Sequence, residues 1–275
     1  VSLDRAEAAL AEAWRLADAA VEVRRFDSLG VIELRSGRVF LDEAIGREAA
    51  EADPPATGLL TYVLNEVRLG AKASPYALAT GIGRLEPGRP AGTRPARGRP
   101  APLPPDMADD EIVLNDWLAG DLGAKVGDEV ELRYYALGSA RRLEERSATF
   151  RVRGIVPVEA AGDPEMMPDF PGLHDAETCR EWDSEFIDTQ VAADPRLNEY
   201  WEKYRGTPKA FVTLEAGRRL WANRFGDLTA VRVPASAGPP PQVASAVRRR
   251  VQPAEIGLYF QPIRERALQA SGEAL

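Results

Sequence analysis

Histidine and cysteine each occur once in this sequence, as His174 and Cys179. With one imidazole and one thiol, a Ser-His-Asp triad, a Cys-His pair or a histidine-rich zinc site could form at only one place. A nucleophilic pair also needs an orienting group and a cleft, and the sequence indicates neither. We therefore expect a loop histidine and a small buried thiol, and we assign no catalytic residue.

An acidic stretch around these two residues could supply oxygen ligands to a hard cation. Its carboxylates belong to Asp163, Glu165, Asp169, Asp175 and Glu177. They lack the alternate spacing and central glycine of a calcium loop, and prolines interrupt them. We expect a solvated acidic loop and assign no metal ligand. The alternative is a hydrolase whose site lies in residues 163–188, with His174 as the base.

Methionine and aromatic side chains are concentrated in the same region. Met166, Met167 and Phe170 form a patch, and Trp182, Phe186, Tyr200 and Trp201 follow downstream. Such side chains form either an adaptable surface for apolar ligands or the small core beneath a long loop. We take Met166, Met167, Phe170, Trp182 and Trp201 as candidate contacts for a cargo or partner.

Composition excludes several other classes of function. The 275 residues carry 43 acidic and 35 basic side chains, a net charge of -8, so nucleic acid is not an expected partner. The sequence "GIGRLEPG" from Gly81 lacks the third glycine of a dinucleotide-binding loop, and no P-loop or nucleophile elbow occurs. We expect no cofactor, and ATP would have to bind another chain. No stretch is long and apolar enough to span a membrane.

The flanking segments predict helices and strands in alternation. Apolar residues at three- and four-residue spacing predict one long amphipathic helix over residues 2–25. Two β-rich stretches, "GLLTYVLNEVRLG" and "YALATGIGRL", are expected to pair around a turn at Ser74-Pro75. Residues 86–107 are rich in proline and arginine, which predicts a surface loop or a basic lip for an anionic partner.

A compact unit of strand, helix, turn and strand follows in "DDEIVLNDWLAGDLGAKVGDEVELRYY". Asn115 is expected to cap the short helix and Gly123 to end it in the left-handed conformation. Val130, Leu132 and Tyr134 should face inward on one strand, and Phe150, Val152 and Ile155 on its return strand. A helix near residues 196–204 closes the acidic insertion, and alternating strands and helices continue to the C-terminus.

These motifs resemble the extracytoplasmic domain of MacB-like and FtsX-like ABC transporter permeases. The resemblance rests on "IVLNDWLAGDLGAKVGDEVELRYY" and "ATFRVRGIVP", with support from "SGRVFLDEAIGREA", "AFVTLEAGRRLWANRFGDLTAVRV" and "RERALQAS", and covers the chain from about residue 36 to the end. The proline-rich loop and the 160–205 insertion depart from the simplest members of that family. Val1 is not a natural start residue, so we expect a segment of a longer protein.

The resemblance implies an α+β fold and a place in a transport complex. A porter-like α/β lobe would comprise residues 1–107 and 206–275, with a smaller β-rich lobe inserted at 108–205 and the long N-terminal helix as a lever. The domain would lie outside the cell membrane and couple a cytoplasmic ATPase, through membrane helices, to an amphipathic cargo such as a lipoprotein, lipid or peptide. A second permease copy or paralogue is an expected partner. A scaffold that regulates a cell-wall enzyme is the remaining alternative.

Overall fold

Nine strands form one mixed sheet in the computed structural model, which describes residues 2–52, 55–85, 102–138, 142–183, 187–261 and 263. The strands are β1 (Val21–Phe26), β2 (Val31–Ser36), β3 (Ala56–Leu69), β4 (Lys72–Leu85), β5 (Glu111–Asn115), β6 (Glu129–Leu137), β7 (Leu143–Val156), β8 (Ala210–Thr213) and β9 (Ala230–Pro234). The α-helices are α1 (Leu3–Ala13), α2 (Glu43–Ala52), α3 (Asp116–Leu122), α4 (Val158–Ala161), α5 (Thr189–Ala192), α6 (Pro195–Tyr204), α7 (Leu214–Trp221) and α8 (Pro240–Arg248). The fold is therefore α+β, as predicted.

Six strands close into a barrel in the order β3, β4, β8, β5, β7, β6, because β6 pairs with the far end of β3. The other end of β3 pairs with β9, which leads to an arm of β9, β2 and β1. The long strand β3 is thus shared by the barrel and the arm. The barrel takes strands from 1–107, 108–205 and 206–275 alike, and the predicted division into two lobes stays a prediction.

The N-terminal helix is much shorter than expected. The helix α1 ends at Ala13, about 16 Å from its start at 1.5 Å per residue, and Trp14 continues in an extended conformation. A 3-10 turn over Leu16–Ala19 follows, Ala20 adopts the left-handed conformation, and β1 begins at Val21. The prediction of a single helix over residues 2–25 was therefore wrong. No helix of that length is present in residues 2–25 to serve as the lever. The valines of "VEVRRF" alternate with polar residues, a strand pattern within the helical spacing.

The hairpin of β3 and β4 was predicted correctly, but its turn lies elsewhere. The strands pair from Ala56 with Leu85 to Leu69 with Lys72, so the turn consists of Gly70 and Ala71 rather than Ser74-Pro75. Gly70 has φ +59, a conformation that glycine adopts without strain. Pro75 lies inside β4, where it pairs with Glu66. The ladder is irregular at the next residue, Tyr76.

The β5–α3–β6–β7 unit largely follows its prediction. The Asn115 side chain accepts a hydrogen bond from Leu118 N at 2.8 Å, and Gly123 ends α3 with φ +68. The predicted inward residues of β6 are buried, as are Phe150 and Val152 of β7. Ile155 is exposed instead, because strict alternation from Phe150 and Val152 places it on the opposite face of β7.

The acidic insertion covers the outer face of the β3–β4 hairpin. The predicted helix near residues 196–204 is confirmed as α6. A second apolar core forms where residues of the insertion pack on strand residues; its members include Val63, Tyr76, Met167, Leu173, Trp182 and Trp201. The insertion is therefore a folded cover. Residues 86–101, Phe186 and the terminal "RERALQAS" lie outside the described residues.

Candidate functional site

A cleft of about 640 Å³ opens beside the insertion, and most of its lining side chains are apolar or aromatic. Its walls are formed by Arg38, Val39, Phe40, Asp42, Tyr62, Val63, Asn65, Tyr135, Leu143, Phe170, Arg224 and Phe225. These residues come from the β2–α2 turn, β3, β6, β7, the insertion and the α7–β9 loop. Its volume lies in the range of small-molecule sites, roughly 300–1,000 Å³.

Aromatic packing fixes Tyr62 in the cleft wall. Its ring stacks on Trp221 with centroids 5.7 Å apart, and Tyr134 meets it edge to face at 6.3 Å. The Tyr62 hydroxyl donates a hydrogen bond to Tyr135 O at 2.6 Å. Burial raises the pKa of Tyr62, so the hydroxyl stays protonated at neutral pH. This part of the wall is preorganised, because both the ring and the hydroxyl have fixed partners.

The β2–α2 turn and the α7–β9 loop hold each other at the rim. Val39 has φ +70 in a tight turn closed by a hydrogen bond from Phe40 N to Arg38 O at 2.9 Å. This conformation is strained for a β-branched residue and needs support from its surroundings. Gly226 of the α7–β9 loop lies against the two residues that follow: a Cβ there would be 2.6 Å from Leu41 O and 3.2 Å from Phe40 Cβ.

Two apolar side chains at the mouth of the cleft remain accessible to solvent. Phe225 is 55 % exposed and Leu143 is 48 % exposed. The Arg224 guanidinium lies 4.7 Å from the centre of the Phe225 ring, a cation–π arrangement. The mouth therefore combines apolar surface with positive charge.

A buried ionic cluster, consisting of Glu33, Arg35, Asp163, Asp169 and Arg232, fastens the insertion to the sheet. Arg232 on β9 donates to Glu33 Oε2 at 2.6 Å and to both oxygens of Asp163 at 2.9 and 3.0 Å. Arg35 on β2 lies 3.0 Å from Glu33 and 3.5 Å from Asp169, and donates to Met167 O at 3.1 Å. The acidic residues at the start of the insertion thus dock on two arginines of the sheet.

The protonation of this cluster follows from its burial. Burial raises the pKa of Glu33, although the neighbouring charges of Arg232 and Arg35 oppose that rise. Burial works against the charge of Arg232, but Asp163 and Glu33 outweigh it and raise the pKa of that guanidinium. Because each buried charge faces an opposite charge, loss of one member would leave its partner buried with less compensation and would destabilise the contact.

The five residues selected from the sequence divide between the core and the cleft. Met167, Trp182 and Trp201 lie in the second apolar core, and Met166 is buried in another cluster. Phe170, which is half-buried, lines the cleft. The structure therefore does not bring the five together on one surface, and their contact with a cargo stays a prediction.

The residues that form most of the cleft were missed from the sequence. Phe40, Tyr62, Tyr135 and Phe225 come from four distant segments, and no local spacing connects them. One signal was available: "NRFG" places an aromatic residue between arginine and glycine in a short loop, where a buried role is unusual.

His174 and Cys179 occupy different environments. The Cys179 side chain is fully buried and lies 3.6 Å from Leu197 O, and burial raises the pKa of its thiol to about 12. A thiolate is therefore scarce at neutral pH, which disfavours nucleophilic chemistry. His174 is on the surface, with Nδ1 3.7 Å from an Asp169 oxygen. No group of three or more His, Cys, Asp or Glu side chains among the described residues could hold a metal ion.

Lys209 is a further buried charge, located between α3 and α6. Its ammonium lies 4.4 Å from the Trp117 ring centre and 4.7 Å from that of Tyr200, and donates to Tyr76 O at 3.3 Å. Burial lowers the pKa of Lys209 to about 8. The ammonium is enclosed by aromatic rings, so Lys209 contributes to the packing between α3 and α6.

The first two glycines of "GIGRLEPG", Gly81 and Gly83, serve helix packing. They lie in β4, where a Cβ at Gly81 would be 3.1 Å from Gly217 Cα and one at Gly83 would be 2.7 Å from Leu214 Cβ. Because these glycines have no side chain, α7 can approach the sheet closely. They belong to a strand and not to a phosphate-binding loop.

Within the described ranges, no helix combines the length and the hydropathy needed to cross a membrane. No protein-family model matches the chain, and no curated protein matches it in sequence.

Proposed function

We propose that this chain is the extracytoplasmic domain of an ABC transporter permease and that it handles an amphipathic cargo at the aromatic cleft. The observation that carries the cargo part is the cleft itself, with about 640 Å³ of space, apolar walls and an accessible phenylalanine at its mouth. Sites for ligands with a large apolar part have this character. The cleft lies beside a folded insertion that contributes Phe170 to the wall.

The permease assignment rests on the resemblance of residues 111–156. The motifs that resemble MacB-like and FtsX-like domains form β5, α3, β6 and β7 in the expected order, with the helix cap at Asn115 and the stop at Gly123. These residues are structural, so they support the type of domain and not the identity of its cargo.

The arrangement of the N- and C-terminal segments also supports insertion between membrane helices. Arg248, at the end of α8, donates to Glu12 O at 2.9 Å and to Ala11 O and Trp14 O at 3.4 Å. The N-terminal segment and α8 are therefore in direct contact. Closely placed segments are required of a domain inserted into one loop, although many independent domains share this property.

In this proposal, movement of the membrane helices reaches the cleft through the arm of the sheet. α8 contacts β1, β1 pairs with β2 along its whole length, and β2 leads directly into the turn that carries Arg38 and Phe40. A displacement of α8 would shift one wall of the cleft against Tyr62, whose ring stacks on Trp221.

The test uses the full-length protein that contains this segment, reconstituted with its ATPase in phosphatidylcholine vesicles. ATP turnover is measured with increasing dodecyl maltoside below its micellar concentration. We expect the amphiphile to change turnover, and Phe225→Ala to reduce that change several-fold because the mouth loses apolar area. Val126→Ala, an exposed apolar residue outside the cleft, is the control.

Two results would overturn the proposal. A parent sequence with no membrane-spanning segment beside these residues would remove the permease assignment. Turnover that responds to amphiphile equally in Phe225→Ala, Val126→Ala and wild type would remove the cleft as the place where the cargo acts.

A further inference from the structure

The charges at the cleft do not balance. Three charged side chains line it: Arg38, Asp42 and Arg224. Arg38 and Asp42 form an ion pair at 3.2 Å, so their charges largely cancel. Arg224 is exposed, and no ion pair is found for it among the residues that the structure describes. Among the residues that line the cleft, Arg224 is therefore the charged one with no ion-pair partner in the described part of the chain.

Two carboxylates near this mouth have other partners: Asp227 is paired with a cation, whereas Glu145 is bound by a neutral amide and keeps its charge. Asp227 lies two residues beyond Phe225, and one of its oxygens is 2.8 Å from Arg218 Nε. Glu145 accepts a hydrogen bond from Asn65 of the cleft wall at 2.9 Å. These contacts leave Arg224 as the group with donors free for a ligand, since its own contact is with the Phe225 ring.

We propose that the cleft binds a lipid with a single acyl chain and an anionic headgroup, with the headgroup at Arg224 and the chain along Phe40, Tyr62 and Phe225. This inference rests on the proposed function and narrows it to a class of cargo. A guanidinium pairs well with a carboxylate or phosphate because it offers several donors in one plane. The apolar wall adjoining Arg224 accommodates the chain.

A cationic or neutral headgroup fits the same site less well. A cation would be repelled by Arg224, and the face of Phe225 that could attract it is already occupied by that guanidinium. A neutral headgroup would form no ion pair with Arg224, so the charge of Arg224 would add nothing to its binding. The chain would contribute equally in all these cases, so the headgroup alone distinguishes them.

The test is titration calorimetry of the purified chain with dodecyl amphiphiles below their micellar concentrations. The probes are laurate, dodecyl maltoside, dodecylphosphocholine and dodecyltrimethylammonium, whose apolar chains are similar. We expect laurate to bind most tightly and to weaken as salt is added. Arg224→Gln should weaken laurate about tenfold, as expected for loss of a hydrogen-bonded charge, and leave dodecyl maltoside unchanged.

Arg249→Gln is the matched control, because Arg249 is exposed at the end of α8 and does not line the cleft. An equal loss of laurate affinity in both variants would mean general attraction to a positive surface and would overturn the inference. Equal binding of laurate and dodecyl maltoside, unchanged in Arg224→Gln, would overturn the headgroup preference while the proposed cleft function stands. Failure of all four probes to bind would overturn both.

Discussion

Arg232 connects the acidic insertion to the sheet, and its replacement by methionine tests that connection. The guanidinium contacts Glu33 on β2 and Asp163 in the insertion, and all three side chains are at most 14 % exposed. Methionine has a similar apolar stem but removes the charge and both sets of hydrogen bonds. Among the described residues, Glu33 then keeps Arg35, at 3.0 Å, as its ion-pair partner.

The expected cost follows from the burial of the partners that remain. Removing one member of a buried ion pair lowers the free energy of unfolding by about 3–5 kcal/mol, because the other charge stays buried. Since Arg35 still faces Glu33, we expect the lower end, about 3 kcal/mol. Adding Glu33→Gln removes one of the two carboxylates that lose Arg232, so the double variant should be less destabilised than the sum of the single variants by about 1–3 kcal/mol.

The pH dependence has a definite sign. Loss of Arg232 removes an interaction that lowers the pKa of Glu33, so that pKa rises further above its ordinary value. A carboxyl with a raised folded-state pKa binds more protons in the folded state, and its unfavourable effect grows as pH rises through that pKa. Arg232→Met should therefore be less destabilising at about pH 5 than at about pH 7.

The assay is urea unfolding followed by circular dichroism, combined with limited proteolysis of residues 163–183. We expect cleavage there to accelerate in Arg232→Met and not in Arg249→Met, an exposed control. A loss below about 1 kcal/mol that is additive with Glu33→Gln would refute the reasoning, because it would place the cluster among weak surface ion pairs.

Three further predictions concern buried groups. Burial lowers the pKa of Lys209 from 10.5 to about 8, so the unfolded chain binds more protons between these values. Urea unfolding should show wild type gaining stability relative to Lys209→Met as pH rises through that window, by at most about 3 kcal/mol. Asn115→Ala removes the α3 cap and the hydrogen bond to Tyr200 Oη at 2.9 Å, and thermal and urea unfolding should show a loss of about 2 kcal/mol. Cys179 should resist iodoacetamide in the native protein and react in urea, by mass spectrometry, because burial raises its pKa to about 12.

Local features of the fold could be predicted where the chemistry is local. An asparagine before an apolar run caps a helix, and a glycine after it supplies the left-handed stop, so Asn115 and Gly123 needed no tertiary information. The hairpin of β3 and β4 also followed from its composition. Its turn did not, because Ser74-Pro75 is a stronger turn signal than Gly70-Ala71, and the pairing of the strands decided the register.

Features that depend on distant contacts could not be predicted. Residues 14–25 carry both helical and strand spacing, and the strand forms because β1 pairs with β2 and buries Val21. The barrel closes by the pairing of Glu66–Arg68 with residues 131–133, which no sequence pattern indicates.

The candidate site has the same limitation. The sequence indicated Phe170 because methionine and aromatic residues are concentrated around it, yet its neighbours Met166 and Met167 are buried within the protein. Tyr62 and Tyr135 were counted as ordinary strand residues, and a hydrogen bond between them brings β3 and β6 together at the cleft. We predicted that the acidic stretch is a solvated loop, but Asp163 and Asp169 pair with Arg232 and Arg35. These arginines lie far away in sequence, so no local pattern indicates the pairing.

The measurement that tests the central claim most directly is the affinity of laurate and dodecyl maltoside for wild type, Phe225→Ala and Phe260→Ala. Both phenylalanines are about half exposed, at 55 % and 47 %, but only Phe225 is among the cleft residues. The account predicts that Phe225→Ala weakens both amphiphiles about fivefold to tenfold through lost apolar contact, and that Phe260→Ala binds like wild type. Unchanged affinity in Phe225→Ala would contradict it.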